Sequence, residues 1–185
     1  MALKATIFKA DLQIADMDRN HFGNYSLTLA RHPSETDERL MVRLLAFALY
    51  ADDLLVFAKG LSSEDEPDLW QKDLTGAIDL WIDVGLPDER RIRKAAGRAR
   101  RVVVVCYGGR GAEIWWEQNR SALGRLQNLT VIKLAPESTQ ALAALASRNM
   151  GLQCMMQDGE LLITGEGEPI RLEPAFLCRM SANQS

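Results

Sequence analysis

The chain has 185 residues, 47% hydrophobic and 25% charged, with 22 Lys and Arg against 25 Asp and Glu and a formal net charge of −3. That length suits one domain, residues 1–185, with a sizeable core, and the composition excludes a disordered chain. The acidic balance excludes a protein that is basic overall, so any grip on nucleic acid must rest on a local patch.

Residues 3–14 alternate apolar and polar side chains, which predicts a strand. A second strand is expected over Tyr25–Ala30, with the polar stretch Asp16–Asn24 as a long hairpin tip. The N-terminus has no long apolar run, so neither a signal peptide nor a membrane span is expected, and the odd, scattered cysteines fit reduced thiols in a cytoplasmic protein. Pro33-Ser34-Glu35-Thr36-Asp37 resembles a capping box with Ser34 as N-cap. Leu40, Met41, Leu44, Leu45, Ala48 and Leu49 then recur at helical spacing. A short buried strand is expected at Leu54–Ala58, followed by an acidic loop over Gly60–Asp68. Residues 52–68 carry six acids and one lysine, a local net of −5.

Ile78–Val84 has a period of two: Ile78, Leu80, Ile82 and Val84 face one way, Asp79, Trp81 and Asp83 the other. Gly85-Leu86-Pro87-Asp88 turns into a helix running to about Ala99, with Asp88 and Glu89 at its positive end. Val102–Tyr107 is a continuous β-branched run and reads as a central strand. A helix at about 113–124, a strand at Leu129–Leu134 and an Ala/Leu-rich helix at Ser138–Ser147 follow. Asp158-Gly159 suits a type I′ turn between strands Leu152–Gln157 and Glu160–Thr164. A last strand is expected at Ile170–Leu172. The core order is helix, three strands, helix, strand, helix, strand. It predicts an α/β fold with a mixed, partly parallel sheet, extended by β-hairpins at both ends.

Three carboxylates stand out. Asp68 lies where the chain re-enters a strand, and Asp83 fifteen positions later near the end of the next. A turn at Thr75-Gly76 would bring them onto adjacent strands. Two such carboxylates can share Mg²⁺ or Mn²⁺, which prefers oxygen ligands, activates water and offsets phosphate charge. Glu38 is the third: it falls within about 20° of Leu45 on its helix, and a carboxylate beside an apolar face needs a partner or a metal. The plainer account makes Asp68 a turn residue, Asp79 and Asp83 the solvent face of an edge strand, and Glu38 a structural ion pair.

Residues 90–101 hold seven cations, and segment 87–101 nets +5. Arg90, Lys94, Arg98 and Arg101 would line one helical stripe, and together with Arg91 and Arg93 they form a candidate phosphate-binding surface. The plainer account is a solvated face paired with the acidic loop. Opposite-sign segments also offer docking surfaces for a protein partner.

Gly109-Arg110-Gly111 opens a helix without the third glycine of a dinucleotide fingerprint or the Gly-Lys-Ser/Thr of a phosphate loop. Cys106, Cys154 and Cys178 are too scattered for a zinc knuckle or a disulfide frame. Of adjacent Trp115 and Trp116, one is expected in the core. His21 and His32 make no zinc site, and no nucleophile-elbow motif supports a Ser-His-Asp triad.

Pro67-Asp68 followed by Asp83-Val84-Gly85 resembles the PD-(D/E)XK nucleases, with Gly85 standing where that motif has lysine. The closer resemblance is to the YaeQ family. Met1–Asp16 (MALKATIFKADLQIAD), Leu29–Arg43 (LARHPSETDERLMVR), Glu66–Trp70 (EPDLW), Leu80–Ala95 (LWIDVGLPDERRIRKA) and the segment Val102–Glu117 are similar to that family and cover most of the chain. The resemblance implies a bacterial protein with a variant of the nuclease-like fold. It implies an activity or its relic: Asp68 and Asp83 on Mg²⁺ or Mn²⁺, Glu38 completing the metal shell, and Lys94, or Arg91 or Arg93, supplying the missing cation. The alternative it leaves is a degenerate fold that binds nucleic acid or a protein.

Overall fold

The computed structural model describes residues 4–59 and 65–181. Leu3 and residues 60–64 of the expected acidic loop lie outside the described residues. The elements in chain order are β1 (Thr6–Asp16), β2 (His21–Arg31), α1 (Asp37–Leu49), β3 (Leu55–Phe57), β4 (Leu69–Lys72), β5 (Ile78–Val84), α2 (Glu89–Arg98), β6 (Ala99–Cys106), α3 (Arg110–Leu123), β7 (Leu129–Lys133), α4 (Pro136–Ala143), β8 (Asn149–Gln157), β9 (Glu160–Thr164), β10 (Ile170–Leu172) and β11 (Ala175–Cys178). The fold is mixed α/β. Instead of one extended sheet there are two, ordered β10-β9-β8-β1-β2 and β11-β7-β6-β5-β4-β3. The terminal hairpins therefore build a sheet of their own, because β8 pairs in parallel with β1. Chain contacts divide the molecule into two compact units. Unit 1 is Met1–Ala51 with Pro136–Pro174, and unit 2 is Asp52–Ala135 with Ala175–Ser185.

In unit 1, β1 and β2 pair along their whole length, from Thr6 opposite Arg31 to Asp16 opposite His21. The expected long hairpin tip is thus four residues, 17–20. Asp16 holds it: its carboxylate accepts from the Arg19 N–H at 3.0 Å and from Arg19 Nε at 2.6 Å. The first helix starts later than the capping-box reading placed it. Thr36 is the N-cap, and its hydroxyl accepts from the Arg39 N–H at 3.1 Å. Ser34 is drawn away by the His32 ring, 2.7 Å off, and the Glu35 N–H bonds back to the His32 carbonyl, so His32–Glu35 forms a turn. Glu35 is consequently buried against α1. Arg43 grips both its oxygens, at 2.6 and 2.9 Å, and Arg39 adds a third bond. Arg43 also donates to the Ala30 carbonyl of β2, and Phe47 meets Tyr25 of β2 edge to face. A buried ion pair of this kind orients a helix more surely than it stabilises one.

In unit 2, β5, β6 and β7 run parallel, joined by α2 and α3, and β4, β3 and β11 add antiparallel strands. The β-branched run Val102–Val105 is fully buried between β5 and β7, as its lack of alternation requires. Ile92 and Ala95 of α2 and Ala112 and Trp115 of α3 pack on Trp81, Val102, Val104 and Leu129. Trp115 is the core member of its pair, with its indole N–H on the Pro87 carbonyl at 2.7 Å. The β11 strand has no counterpart in the sequence reading. It is short and half-exposed, so periodicity does not mark it.

Candidate functional site

Antiparallel pairing of β4 with β5 sets Leu69 opposite Ile82 and Trp70 opposite Trp81. The same register carries Asp68 opposite Asp83, and the Asp68 N–H donates to the Ile82 carbonyl at 3.0 Å. Side chains two apart share a face, so Asp68, Trp70, Trp81 and Asp83 all point to the side where α2 lies. Both carboxylates are buried, Asp68 8% and Asp83 2% exposed. Like charges directly opposite on a ladder are destabilising, and buried ones need a cation.

Arg91 supplies it. The Asp88 side chain caps α2 by accepting from the Arg91 N–H at 2.8 Å, which fixes the start of the helix and aims Arg91 back at the strand end. Arg91 Nε donates to Asp83 Oδ2 at 2.9 Å and Nη2 to Asp83 Oδ1 at 3.0 Å. That two-pronged fit is the strong form of an arginine–carboxylate contact. Arg91 Nη2 also reaches the Glu66 carbonyl at 2.8 Å. The Asp83 hydrogen bond, with the charges of Asp83 and Asp68 adding, raises the pKa of Arg91 above its already high value. Trp81 Nε1–H gives Asp83 Oδ2 another bond at 3.1 Å. Asp68 Oδ2 accepts the Val84 N–H at 2.7 Å, closing the ladder where β5 ends.

Gly85 stands where the PD-(D/E)XK pattern would have lysine, and has φ of +108°. Glycine takes that conformation without strain, whereas a lysine there would be strained. Of the three cations that could replace it, Arg91 lies against the pair. Lys94 Nζ instead reaches Asp65 at 2.9 Å, and this exposed contact holds the Asp65 carboxyl below its usual range. Arg93 pairs with Glu89 along the helix. Arg98 donates to the Asp65 carbonyl at 2.9 Å and lies over the Trp81 ring at 5.1 Å. The basic helix thus meets the acidic loop through Asp65 and Glu66, as the solvated-face reading expected. Arg93, Lys94 and Arg98 remain exposed, as does Arg90. Arg101 does not join their stripe, because α2 ends at Arg98 and Arg101 stands in β6. Arg100 pairs with Asp73 and Asp79.

Glu38 sits in α1 of unit 1, half-buried, where the Thr139 hydroxyl of α4 donates to it at 3.2 Å. Its sequence position beside an apolar stripe is met by that hydroxyl partner. Among the described residues no three His, Cys, Asp or Glu side chains are grouped to hold a metal ion. In the arrangement seen, both Asp83 oxygens are taken by Arg91 and one Asp68 oxygen by backbone, so this pair does not fit a divalent cation unless Arg91 leaves. Burial pushes the Cys106 thiol up to about 11 and the Cys154 thiol to about 12, so both are protonated core groups at neutral pH. The sequence reading left Arg91 among three candidates. The aspartate three residues before it, a side-chain cap, was the signal that singles it out. Trp70, which no sequence pattern marks, stands edge-on to Trp81 with Lys72 Nζ 3.8 Å above it.

No helix among the described residues is long and apolar enough to cross a membrane. The family model described as YaeQ protein matches residues 1–174. The chain is 51% identical over 166 residues to the YaeQ protein of Escherichia coli (strain K12), covering 90% of this chain and 92% of that one. The crystal structure of YaeQ from Xanthomonas axonopodis pv. citri matches with a TM-score of 0.91 at 54% identity, covering 96% of this chain and 99% of that one. YaeQ from Pseudomonas syringae matches with the same TM-score at 32% identity, covering 95% and 97%.

Proposed function

This chain belongs to the YaeQ family, and on that footing we propose that unit 2 is a catalytically degenerate form of the PD-(D/E)XK nuclease-like core that binds nucleic acid without cutting it. The observation that carries the reading is the two-pronged contact of Arg91 with Asp83, beside Asp68. A nuclease of this type needs a divalent ion on those oxygens and a lysine two positions after the second acid. Here the Arg91 guanidinium occupies both Asp83 oxygens, and the positive φ of Gly85 disfavours a lysine. What such a core retains is a place for phosphates. Arg90, Arg93, Lys94 and Arg98 present exposed cations on and beside one helix face, and the ion pairs of Arg93 with Glu89 and Lys94 with Asp65 are exposed and screened by solvent, so a phosphate backbone can displace them.

The hydrolytic reading rests on one favourable feature, the directly opposed Asp68 and Asp83. It requires Mg²⁺ or Mn²⁺ to displace Arg91, with Lys94 on the phosphate and Glu38 outside this unit. The test is fluorescence anisotropy with single-stranded DNA, duplex DNA and RNA over a salt series, run beside cleavage assays in Mn²⁺, Mg²⁺ or EDTA. The binding reading expects uncut polymer and affinity that falls steeply with salt. Four phosphate contacts predict a log–log slope of about −4 on duplex DNA, reduced by about one when Lys94 becomes alanine. Metal-dependent cutting that an Asp83→Ala variant loses would establish the hydrolytic reading. No binding to any polymer at low salt would leave the opposite-sign segments as a protein-docking surface.

A further inference from the structure

The exposed face of the unit 1 sheet carries an ordered pattern that the proposed nucleic-acid role does not use. The registers of β2, β1, β8 and β9 set Asn24 opposite Gln13, Gln13 opposite Gln153 and Gln153 opposite Thr164. Four uncharged polar side chains therefore form one row across four strands. Asn24, Gln13 and Gln153 are exposed, and Thr164 is half-buried. The next row is apolar: Phe22, Ala15, Met155 and Leu162, with Phe22 60% and Met155 41% exposed. Two adjoining hollows of about 530 and 590 Å³ lie along these rows and share Gln13, Asn24, Gln153 and Thr164. Both are open depressions on the sheet face, accessible along their length to an extended ligand.

We propose that this trough binds a neutral, hydroxyl-rich ligand, an oligosaccharide, with Gln13, Asn24 and Gln153 bonding its hydroxyls and Phe22 flooring a sugar ring. Each amide offers two donors and a carbonyl acceptor, and so matches a hydroxyl, which both gives and accepts. Neighbouring strands are about 4.8 Å apart, close to the repeat of one pyranose unit, so successive amides address successive sugars. The apolar row lies alongside to cover the C–H face of the ring, as an aromatic surface does. Charge selects the class. The one charged side chain lining the two hollows is Asp11, whose carboxylate accepts the Ser26 hydroxyl at 2.8 Å. A phosphodiester chain would meet no cation there and one carboxylate, the reverse of a nucleic-acid surface.

The experiment is a two-dimensional ¹H–¹⁵N spectrum of the full chain titrated with cellotriose, chitotriose or maltotriose to about 20 mM, the range of weak single-site binding. The expected result is saturable movement of the Gln13, Asn24 and Gln153 side-chain amide signals with at least one sugar. A Gln13→Ala, Gln153→Ala double variant should bind about tenfold or more weakly, the loss expected of one or two neutral hydrogen bonds. Both sites are exposed, so the variant keeps a dispersed spectrum. Signals that stay still with all three sugars overturn the proposal. So do shifts unchanged in the double variant, and so does movement produced by a uridylate hexamer alone. None of these outcomes touches Arg91 or α2, so the nucleic-acid reading stands or falls separately.

Discussion

Replacing Arg91 with alanine removes the cation from a carboxylate that has little other support. The Asp83 side chain is 3% exposed, whereas that of Arg91 is 26% exposed. Breaking a buried pair from one side costs about 3–5 kcal/mol. The part of Arg91 that reaches solvent is screened as in exposed pairs, which brings the loss to about 2–3 kcal/mol. Asp83 would keep the Trp81 indole bond but stand opposite Asp68 without the guanidinium that now binds it. In a chain of this length each kcal/mol lowers Tm by about 2–4 °C, so a fall of about 4–12 °C is expected in a thermal melt followed by circular dichroism. The double variant Arg91→Ala, Asp83→Asn removes the stranded charge and should recover part of the loss, with a coupling of about 1–2 kcal/mol in urea titrations. A single variant that melts with the wild type, or a double variant whose losses simply add, would refute the idea that Arg91 neutralises this pair.

Arg43→Met should cost about 3 kcal/mol in urea unfolding, because it strands Glu35 in the core with Arg39 alone; a loss below about 1 kcal/mol would show the pair to be solvated. Gly85→Lys forces a side chain onto φ of +108°, so it should destabilise by about 1–3 kcal/mol and confer no metal-dependent cutting in the cleavage assays. Cys106 and Cys154 should resist a thiol reagent at pH 8 until the protein is unfolded. Their folded pKa values, about 11 and about 12, stand above the ordinary thiol value of 9.0 because both groups are buried. Their contribution to stability is therefore complete below about pH 9 and declines as pH rises toward 11 and 12, which urea midpoints across that range will show.

Much of the fold is legible where the pattern is long. The alternation in Ile78–Val84, the unbroken valines of Val102–Val105 and the Asp158-Gly159 turn each name their element, because one local rule dominates. Sheet membership is less legible. Nothing in residues 9–16 announces that they will pair in parallel with residues 149–156, a contact across most of the chain. The start of α1 was misplaced because Ser34 and Thr36 both offer capping hydroxyls, and only the His32–Ser34 bond decides between them. At the candidate site, Asp68 and Asp83 were readable from spacing and register. The partner of Asp83 was not, since three cations sit within one helical turn and a side-chain cap selects among them. Gly85 departs from the PD-(D/E)XK pattern at a position whose positive φ favours glycine, a conformation that no sequence pattern announces.

The most direct test of the account is a Mn²⁺ titration followed by electron paramagnetic resonance on the wild type, Arg91→Ala and Asp83→Asn. The wild type should leave Mn²⁺ free in solution, because Arg91 already serves the Asp68–Asp83 pair, and only Arg91→Ala should gain a bound ion. One equivalent of Mn²⁺ bound by the wild type and lost in Asp83→Asn would contradict it, and would mean that the pair holds a metal after all.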